Sequence, residues 1–222
     1  NSTLAVSMSE AVYKLNSGSG DLEVSDFALS ISGGVATLSS STPSSITKSG
    51  NVYTLGVSLS GTPNGSEVLK VVPVDNGIYD GAGNEASTTQ SNNTKNLNDK
   101  LAPTITSVSL ASDNTSLSVT ISEAVYNTNG GSGNLEKEDF VLSISGGVAT
   151  LSSSTPSSIT QSGNVYTLAF SLSGTPNGSE VLKVVPVDNG IYDAVGNEAS
   201  TTQSNNTKNL NDKLVPTITS VS

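Results

Sequence analysis

The chain has 222 residues, with nine lysines against nineteen acidic residues, and it contains no histidine, cysteine, arginine or tryptophan. Histidine-based acid–base catalysis, disulfides and metal sites built on imidazole or thiolate are therefore excluded. The net charge of −10 argues against a nucleic-acid partner, because neutralisation of phosphates by basic residues dominates such binding. No apolar run approaches the ~20 residues of a membrane helix, so we expect no membrane span in this segment.

Read from its first residue onward, the chain is two near-copies of one unit. At an offset of 113 residues, 91 of the 109 overlapping positions are identical without a gap, so that Glu10 aligns with Glu123. Repetition at a fixed period indicates a tandem array, and a unit of this size can bury its own core. We predict one domain over 1–100, a second over 101–213, and the first strand of a following unit over 214–222.

Each unit reads as short strands in which apolar and polar residues alternate. In NVYTLAFSLSG, for example, Tyr166, Leu168 and Phe170 share one face. Turns rich in glycine, proline and asparagine separate the strands. The segment NLEKED (134–139) predicts a helical turn capped by Asn134. In chain order, the strands predicted in the second unit are 105–110, 116–122, 140–145, 148–152, 165–172, 180–187 and 199–208.

The strand pattern predicts an all-β fold. Seven or so short strands, each with one apolar face, need a second sheet to cover them. Within ~100 residues the usual solution is an immunoglobulin-like Greek-key sandwich, and a small barrel is the alternative. We therefore expect tandem immunoglobulin-like sandwiches whose cores are aliphatic with tyrosine and phenylalanine.

An acidic turn of the form DNGIYDxxGN occurs once in each unit. Such a turn can be purely structural, because an aspartate side chain accepts hydrogen bonds from backbone N–H groups two residues on. It can also present oxygen atoms to Ca²⁺, which takes 6–8 oxygen ligands. The residues leave both interpretations open. The candidate ligands are Asp75, Asp80 and Asn84 in the first unit and Asp188, Asp193 and Asn197 in the second.

The motifs TITSVSL, ISEAV, DFxLS, IYDxxGN and LNDKxxP together resemble bacterial immunoglobulin-like repeats of very large surface proteins. Such proteins include giant adhesins, S-layer-type domains and the long repeat proteins of swimming cyanobacteria. The resemblance covers essentially the whole unit, although each motif is short. It implies an exported tandem-repeat β-sandwich protein at the cell surface, in which calcium stiffens the domain junctions.

The segment LNDKLAP (97–103) also resembles the N-D-x-x-P linker of cadherins, in which the aspartate helps to bind calcium between consecutive domains. By position, the resemblance implies Asp99 and Asp212 as linker ligands. Glu10 and Glu123 are candidate partners from the SEAV segment of the following unit. A lysine follows each linker aspartate at once, and the other cadherin ligand motifs are not recognisable. A polar linker stiffened by proline is the alternative.

The sequence favours a mechanical function, because many near-identical units in series make a long acidic stalk or filament of a cell-surface adhesin. The neighbouring repeats, arranged head to tail, are then the main partners. A carbohydrate- or partner-binding module is the alternative, with a cell-surface glycan held on exposed tyrosines such as Tyr192. We do not expect an enzyme, since paired carboxylates of the kind that hydrolyse glycosides have no convincing cleft here.

The phrase LxPTITSVS occurs at 101–109 and again at 214–222. We interpret it as the first strand of each sandwich, so the first unit lacks a copy and the last copy has no sandwich. In a continuous array, the missing strand lies before Asn1. Alternatively, separate subunits polymerise, each lending this strand to the next. The sequence favours the continuous array.

Overall fold

The alternating segments form antiparallel strands in the computed structural model, which describes residues 1–221. The chain divides into unit 1, Asn1–Leu101, and unit 2, Ala102–Ser222. The described residues form no α-helix, and every described strand pair is antiparallel. The all-β prediction is therefore confirmed.

Unit 1 is built from short strands arranged in four sheets. The sheet orders are β1-β6-β5, β10-β8-β3, β4-β7 and β2-β9. The strands are β1 (Thr3–Ser7), β2 (Val12–Tyr13), β3 (Phe27–Ser32), β4 (Thr37–Leu38), β5 (Ile46–Ser49), β6 (Val52–Gly56), β7 (Leu59–Ser60), β8 (Val68–Pro73), β9 (Tyr79–Asp80) and β10 (Thr94–Asn96).

Unit 2 repeats this arrangement with one strand added at its beginning, and an isolated bridge between Tyr126 and Tyr192 takes the place of the β2-β9 sheet. Its sheets are β11-β12-β16-β15, β13-β18-β19 and β14-β17. The strands are β11 (Ile105–Leu110), β12 (Ser116–Ile121), β13 (Phe140–Ser145), β14 (Thr150–Leu151), β15 (Ser158–Ser162), β16 (Val165–Ala169), β17 (Leu172–Ser173), β18 (Val181–Pro186) and β19 (Thr207–Asn209).

In each unit, two sheets contribute to one apolar core. Phe140 of β13 and Tyr166 of β16 come from different sheets, are both almost fully buried, and have ring centroids 6.1 Å apart. Phe27 and Tyr53 form the same pair in unit 1, also at 6.1 Å. The face predicted from alternation is confirmed, since Leu168 is buried beside Tyr166. Sheets that share a core in this way are consistent with a β-sandwich.

Four local predictions need correction. The strand predicted over 165–172 is two strands in different sheets, β16 and β17. In 199–208 only β19 is a strand, because polar turns precede it, such as the one in which Thr202 N–H donates to Ser200 Oγ at 3.0 Å. The strand predicted over 148–152 is confined to β14. The helical turn in NLEKED is a single 3-10 turn, Lys137–Asp139, and its N-cap is Glu136 rather than Asn134.

β11 has no aligned counterpart in unit 1. It pairs with β12 in unit 2, whereas β1, the aligned counterpart of β12, pairs only with β6. The segment 214–221, which was predicted as the first strand of a following unit, forms no strand and is exposed. Ser222, the last residue of that prediction, lies outside the described residues.

Candidate metal site

The acidic turn of unit 2 is held by the carboxylate of Asp193. Oδ1 accepts hydrogen bonds from the backbone N–H groups of Val195 and Asn197, at 2.9 and 2.8 Å. Oδ2 accepts one from Nδ2 of Asn197 at 2.7 Å. Gly196 has a φ of +90°, which favours glycine, and Asp193 is only 1% exposed. Asp193 therefore has the structural role considered for this turn, because its carboxylate accepts hydrogen bonds from the backbone of the turn.

The turn of unit 1 has the same hydrogen bonds around Asp80. Its Oδ1 accepts from the N–H groups of Ala82 and Asn84, both at 2.8 Å, and Oδ2 accepts from Asn84 Nδ2 at 2.8 Å. The hydrogen bond from the Asn84 side chain, followed by that from its backbone, lowers the pKa of the Asp80 carboxyl below its usual value. Asp80 is therefore a carboxylate at neutral pH, as a cation ligand must be.

Unit 2 brings two of the predicted ligands together. A carboxylate oxygen of Glu123, which is half-buried, lies within 4.8 Å of one of Asp193. In unit 1 the aligned residues Glu10 and Asp80 line one cavity. Two carboxylates this close repel each other, so a cation placed between them would be attracted to both.

Asp188 and its copy Asp75 are not part of the two carboxylate pairs described above. Asp188 is exposed, and its Oδ2 accepts from Asn189 Nδ2 at 3.0 Å. Asn189 has a φ of +58°, and its N–H donates to Glu198 Oε1 at 2.5 Å. These side chains stabilise the first half of the turn, and they leave Asp193 as the innermost carboxylate of the motif.

The linker aspartates hold their own backbone. Asp99 Oδ1 accepts from Leu101 N–H at 2.9 Å, and Asp212 Oδ1 accepts from Leu214 N–H at 2.8 Å. Each aspartate also packs against a glycine: a Cβ at Gly65 would lie 3.2 Å from the Cβ of Asp99. Both aspartates therefore fix the turn that begins the linker. Their predicted role as calcium ligands stays a prediction.

The donor chemistry fits a hard cation, although these two residues supply only part of a coordination shell. A carboxylate has about four lone-pair positions, and Asp193 uses three of them for the hydrogen bonds above. One lone-pair position of Asp193 is then left for a cation, and Glu123 would supply further carboxylate oxygen. Ca²⁺ takes 6–8 oxygens, so backbone carbonyls, water or other carboxylates must complete the shell.

Sequence reasoning missed two buried carboxylates, Glu67 and Glu180, which are 0% exposed in their units. Glu180 Oε1 accepts backbone N–H groups from Val148 and Ala149 at 2.8 and 3.0 Å, and Asn177 N–H donates to the same carboxylate at 3.1 Å. All of these donors belong to the backbone of unit 2. The carboxylate is therefore a structural clamp rather than a ligand site.

No protein-family model and no curated protein matches the chain. Within residues 1–221, no helix is long and apolar enough to cross a lipid bilayer.

Proposed function

We propose that the two units are structural modules of an extracellular tandem-repeat protein. In this proposal each unit is an immunoglobulin-like sandwich, and units in series form the stalk or filament of a cell-surface adhesin. The observation that carries the proposal is the repeat itself, with 91 of 109 aligned positions identical. A spacer needs length rather than distinct sites, so near-identical units serve it well.

The carbohydrate-binding alternative receives less support from the tyrosines on which it depends. Tyr126 and Tyr192 are half-buried and pair with each other across a β-bridge. The Tyr192 hydroxyl donates to Asn189 Oδ1 at 3.3 Å. Rings held in this way offer a sugar less exposed face than an open aromatic platform would, and we therefore favour the structural role.

The calcium part of the proposal rests on the pair Glu123 and Asp193. Calcium would neutralise their mutual repulsion, and it would stabilise the folded unit because the unfolded chain does not hold the two carboxylates together. Binding at 100 times the dissociation constant stabilises a fold by about 2.7 kcal/mol. For a domain of this size that shift raises the melting temperature by roughly 10 °C or more.

The calcium test is thermal unfolding with 5 mM Ca²⁺ and with EGTA. We expect Ca²⁺ to raise the melting temperature of the native sequence and to have much less effect on Glu123→Gln, which removes one charge of the pair. Glu138→Gln is the matched control, because Glu138 is exposed and lies on the 3-10 turn of the same unit. Equal melting curves in Ca²⁺ and EGTA for the native sequence would contradict calcium binding.

Localisation tests the structural role separately. Antibodies against the two units should label intact cells without permeabilisation. The native polypeptide that they detect in a denaturing gel should be much larger than the 22.4 kDa of this chain. Labelling that requires cell lysis would show that the proposed extracellular stalk is wrong, whatever the result with calcium.

A further inference from the structure

The chain contains five Asn-Gly pairs, at 64–65, 76–77, 129–130, 177–178 and 189–190. In such a pair the backbone nitrogen of the glycine can attack the side-chain carbonyl carbon of the asparagine, because no Cβ on the glycine obstructs the approach. The reaction requires a glycine N–H that is free and an asparagine side chain that can turn towards it. The five pairs differ in both respects.

The pair in the acidic turn of unit 2 is held by hydrogen bonds on both reacting groups. Gly190 is buried, and its N–H donates to the carbonyl oxygen of Val187 at 3.0 Å. Asn189 Nδ2 donates to Asp188 Oδ2 at 3.0 Å, and Asn189 Oδ1 accepts from the Tyr192 hydroxyl at 3.3 Å. The aligned pair of unit 1 has the same hydrogen bonds. Neither pair can react unless its turn opens.

The pairs at 64–65 and 177–178 are held through the asparagine. Asn177 Oδ1 accepts from Ser179 N–H at 3.1 Å, and Asn177 N–H donates to the buried carboxylate of Glu180 at 3.1 Å. The aligned pair of unit 1 has the same hydrogen bonds, and both asparagines are half-buried. Each side chain must therefore give up a hydrogen bond before its carbonyl carbon can approach the glycine nitrogen.

The pair Asn129-Gly130 differs from the other four. Both residues are exposed, and they lie in a short hairpin loop closed by the bridge between Thr128 and Ser132. Within residues 1–221, neither the Asn129 side chain nor the Gly130 N–H has a hydrogen-bond partner. A Cβ at Gly130 would meet no atom within 4 Å, so the surroundings leave room for the asparagine side chain to turn.

Unit 1 provides a natural comparison for this loop. The aligned residues are Asn16 and Ser17, so the asparagine is retained and the glycine is replaced. Asn16 is exposed like Asn129, and a bridge between Leu15 and Ser19 closes the loop in the same way. The Cβ of Ser17 stands beside the attacking nitrogen, which glycine leaves unobstructed. The two loops therefore allow the effect of the glycine to be measured.

We propose that Asn129 is a site of spontaneous deamidation, which converts it to aspartate and isoaspartate in the folded protein. The Gly130 nitrogen forms a bond to Asn129 Cγ, the bond from Cγ to Nδ2 breaks, and ammonia leaves with the proton lost by the Gly130 nitrogen. Water then opens the cyclic imide at either carbonyl carbon. Attack at Cγ gives aspartate, and attack at the backbone carbonyl carbon gives isoaspartate. The modification goes beyond the proposed stalk function and does not depend on it.

The modification changes a loop that contacts the acidic turn of the same unit. It replaces a neutral amide by a carboxylate, and isoaspartate also lengthens the backbone by one carbon. A Cβ at Gly196 would lie 2.7 Å from the carbonyl oxygen of Asn129, and a Cβ at Gly131 would lie 2.6 Å from that of Ala194. The two backbones are therefore closely packed, and isoaspartate should loosen this contact by displacing the Asn129 carbonyl group.

Mass spectrometry of the aged chain tests the proposal. Cleavage after lysine places the five Asn-Gly pairs in five different peptides, so each pair is followed separately. The folded chain is kept at pH 8 and 37 °C in H₂¹⁸O, so that each conversion introduces one heavy oxygen and is distinguished from aspartate already present. Enzymatic methylation of isoaspartyl carboxylates then measures the share of isoaspartate.

We expect Asn129 to convert about tenfold or more faster than the asparagines of the other four pairs, since each of those must first break a hydrogen bond. In urea the five pairs should convert at similar rates, because the fold no longer distinguishes them. Gly130→Ser should slow Asn129 to the rate of Asn16, and Ser17→Gly should accelerate Asn16 to the rate of Asn129. Gly130 does not have a positive φ, so serine introduces no left-handed strain there.

Two results would overturn the proposal. The first is equal conversion of the five pairs in the folded chain, which would show that the hydrogen bonds described above do not control the reaction. This comparison of folded and urea-unfolded chain needs no variant. The second is conversion of Asn129 at the native rate in Gly130→Ser, with a melting curve equal to that of the native sequence. The open approach at the glycine would then have no part in the reaction.

Discussion

At the scale of single residues, Glu180 is the least expected feature of the unit. It is fully buried, and burial alone would raise the pKa of its carboxyl, but hydrogen bonds from the backbone N–H groups of Ala149, Val148 and Asn177 lower that pKa to about 2. The carboxylate thereby connects the loop before β14 and the turn before β18. Such a group stabilises the fold only while it is ionised.

The pKa shift predicts an acid-dependent loss of stability. The folded-state pKa of about 2 lies below the usual 4.5, so the stabilisation is complete above pH 4.5 and disappears as the pH falls towards 2. Glu180→Gln should lower the urea midpoint of unit 2 at pH 7 and flatten its pH dependence between 4.5 and 2. Unit 1, which keeps Glu67, is the internal control when the units are followed separately by NMR. An unchanged pH profile for unit 2 would contradict this role.

Glycine substitutions test the same clamp from the loop side. Gly147 and Gly163 have almost equal positive φ values, +60° and +58°. A Cβ at Gly147 would lie 2.1 Å from the Glu180 carboxyl carbon, whereas a Cβ at Gly163 would meet nothing within 4 Å. Gly163→Ala should therefore cost only the backbone strain of about 1–2 kcal/mol, and Gly147→Ala at least twice as much. Equal losses in urea unfolding would show that the carboxylate adapts without cost.

At the scale of elements, alternation predicted the faces well and the side-chain partners poorly. The burial of Phe140 and Tyr166 followed from the period of two, which any residue on a half-buried strand must obey. Glu180 could not be found in this way, because it follows the polar turn TPNGS at the first position of the predicted strand 180–187, where an acidic residue is expected to be exposed. The donors to Glu180 at Val148 and Ala149 are backbone groups 32 and 31 residues away, and backbone groups carry no sequence signal.

The acidic turn contains local contacts, which the sequence can predict, and one long-range contact, which it cannot. The hydrogen bonds from Val195 and Asn197 to Asp193 are local, and the motif predicted the one from Val195, which lies two residues on. The proximity of Glu123 to Asp193 is not local, and reasoning from the residues suggested only that each is a candidate ligand. Whether the pair holds calcium depends on ligands that complete the shell, and the spacing of two carboxylates does not specify those.

Substitution of the turn carboxylate separates its two proposed roles. Asp193→Ala removes three hydrogen bonds and should destabilise unit 2 by about 2 kcal/mol or more, even in EGTA. Asp193→Asn retains an acceptor oxygen for the turn but removes the charge, so it should lose mainly the calcium-dependent part. Thermal unfolding of both variants with Ca²⁺ and with EGTA gives the comparison. If the two variants lose equal stability in EGTA, the charge rather than the acceptor oxygen maintains the turn.

At the scale of the whole molecule, the two near-identical units allow aligned strands to be compared within one chain by how well their backbone amides are protected from solvent. β12 has a paired strand on each side, β11 and β16, whereas β1 is paired only with β6. Backbone amides without a partner exchange with solvent more readily than paired ones. The difference therefore concerns one edge of one sheet.

Hydrogen exchange of the dilute chain should reveal this difference directly. Amides of Thr3–Ser7 should exchange about tenfold or more faster than amides of Ser116–Ile121, because the described strands cover β1 on one side and β12 on both sides. The central strands β6 and β16 are paired on both sides in both units and should exchange alike. Equally slow exchange of β1 and β12 would contradict the difference in pairing between the two strands.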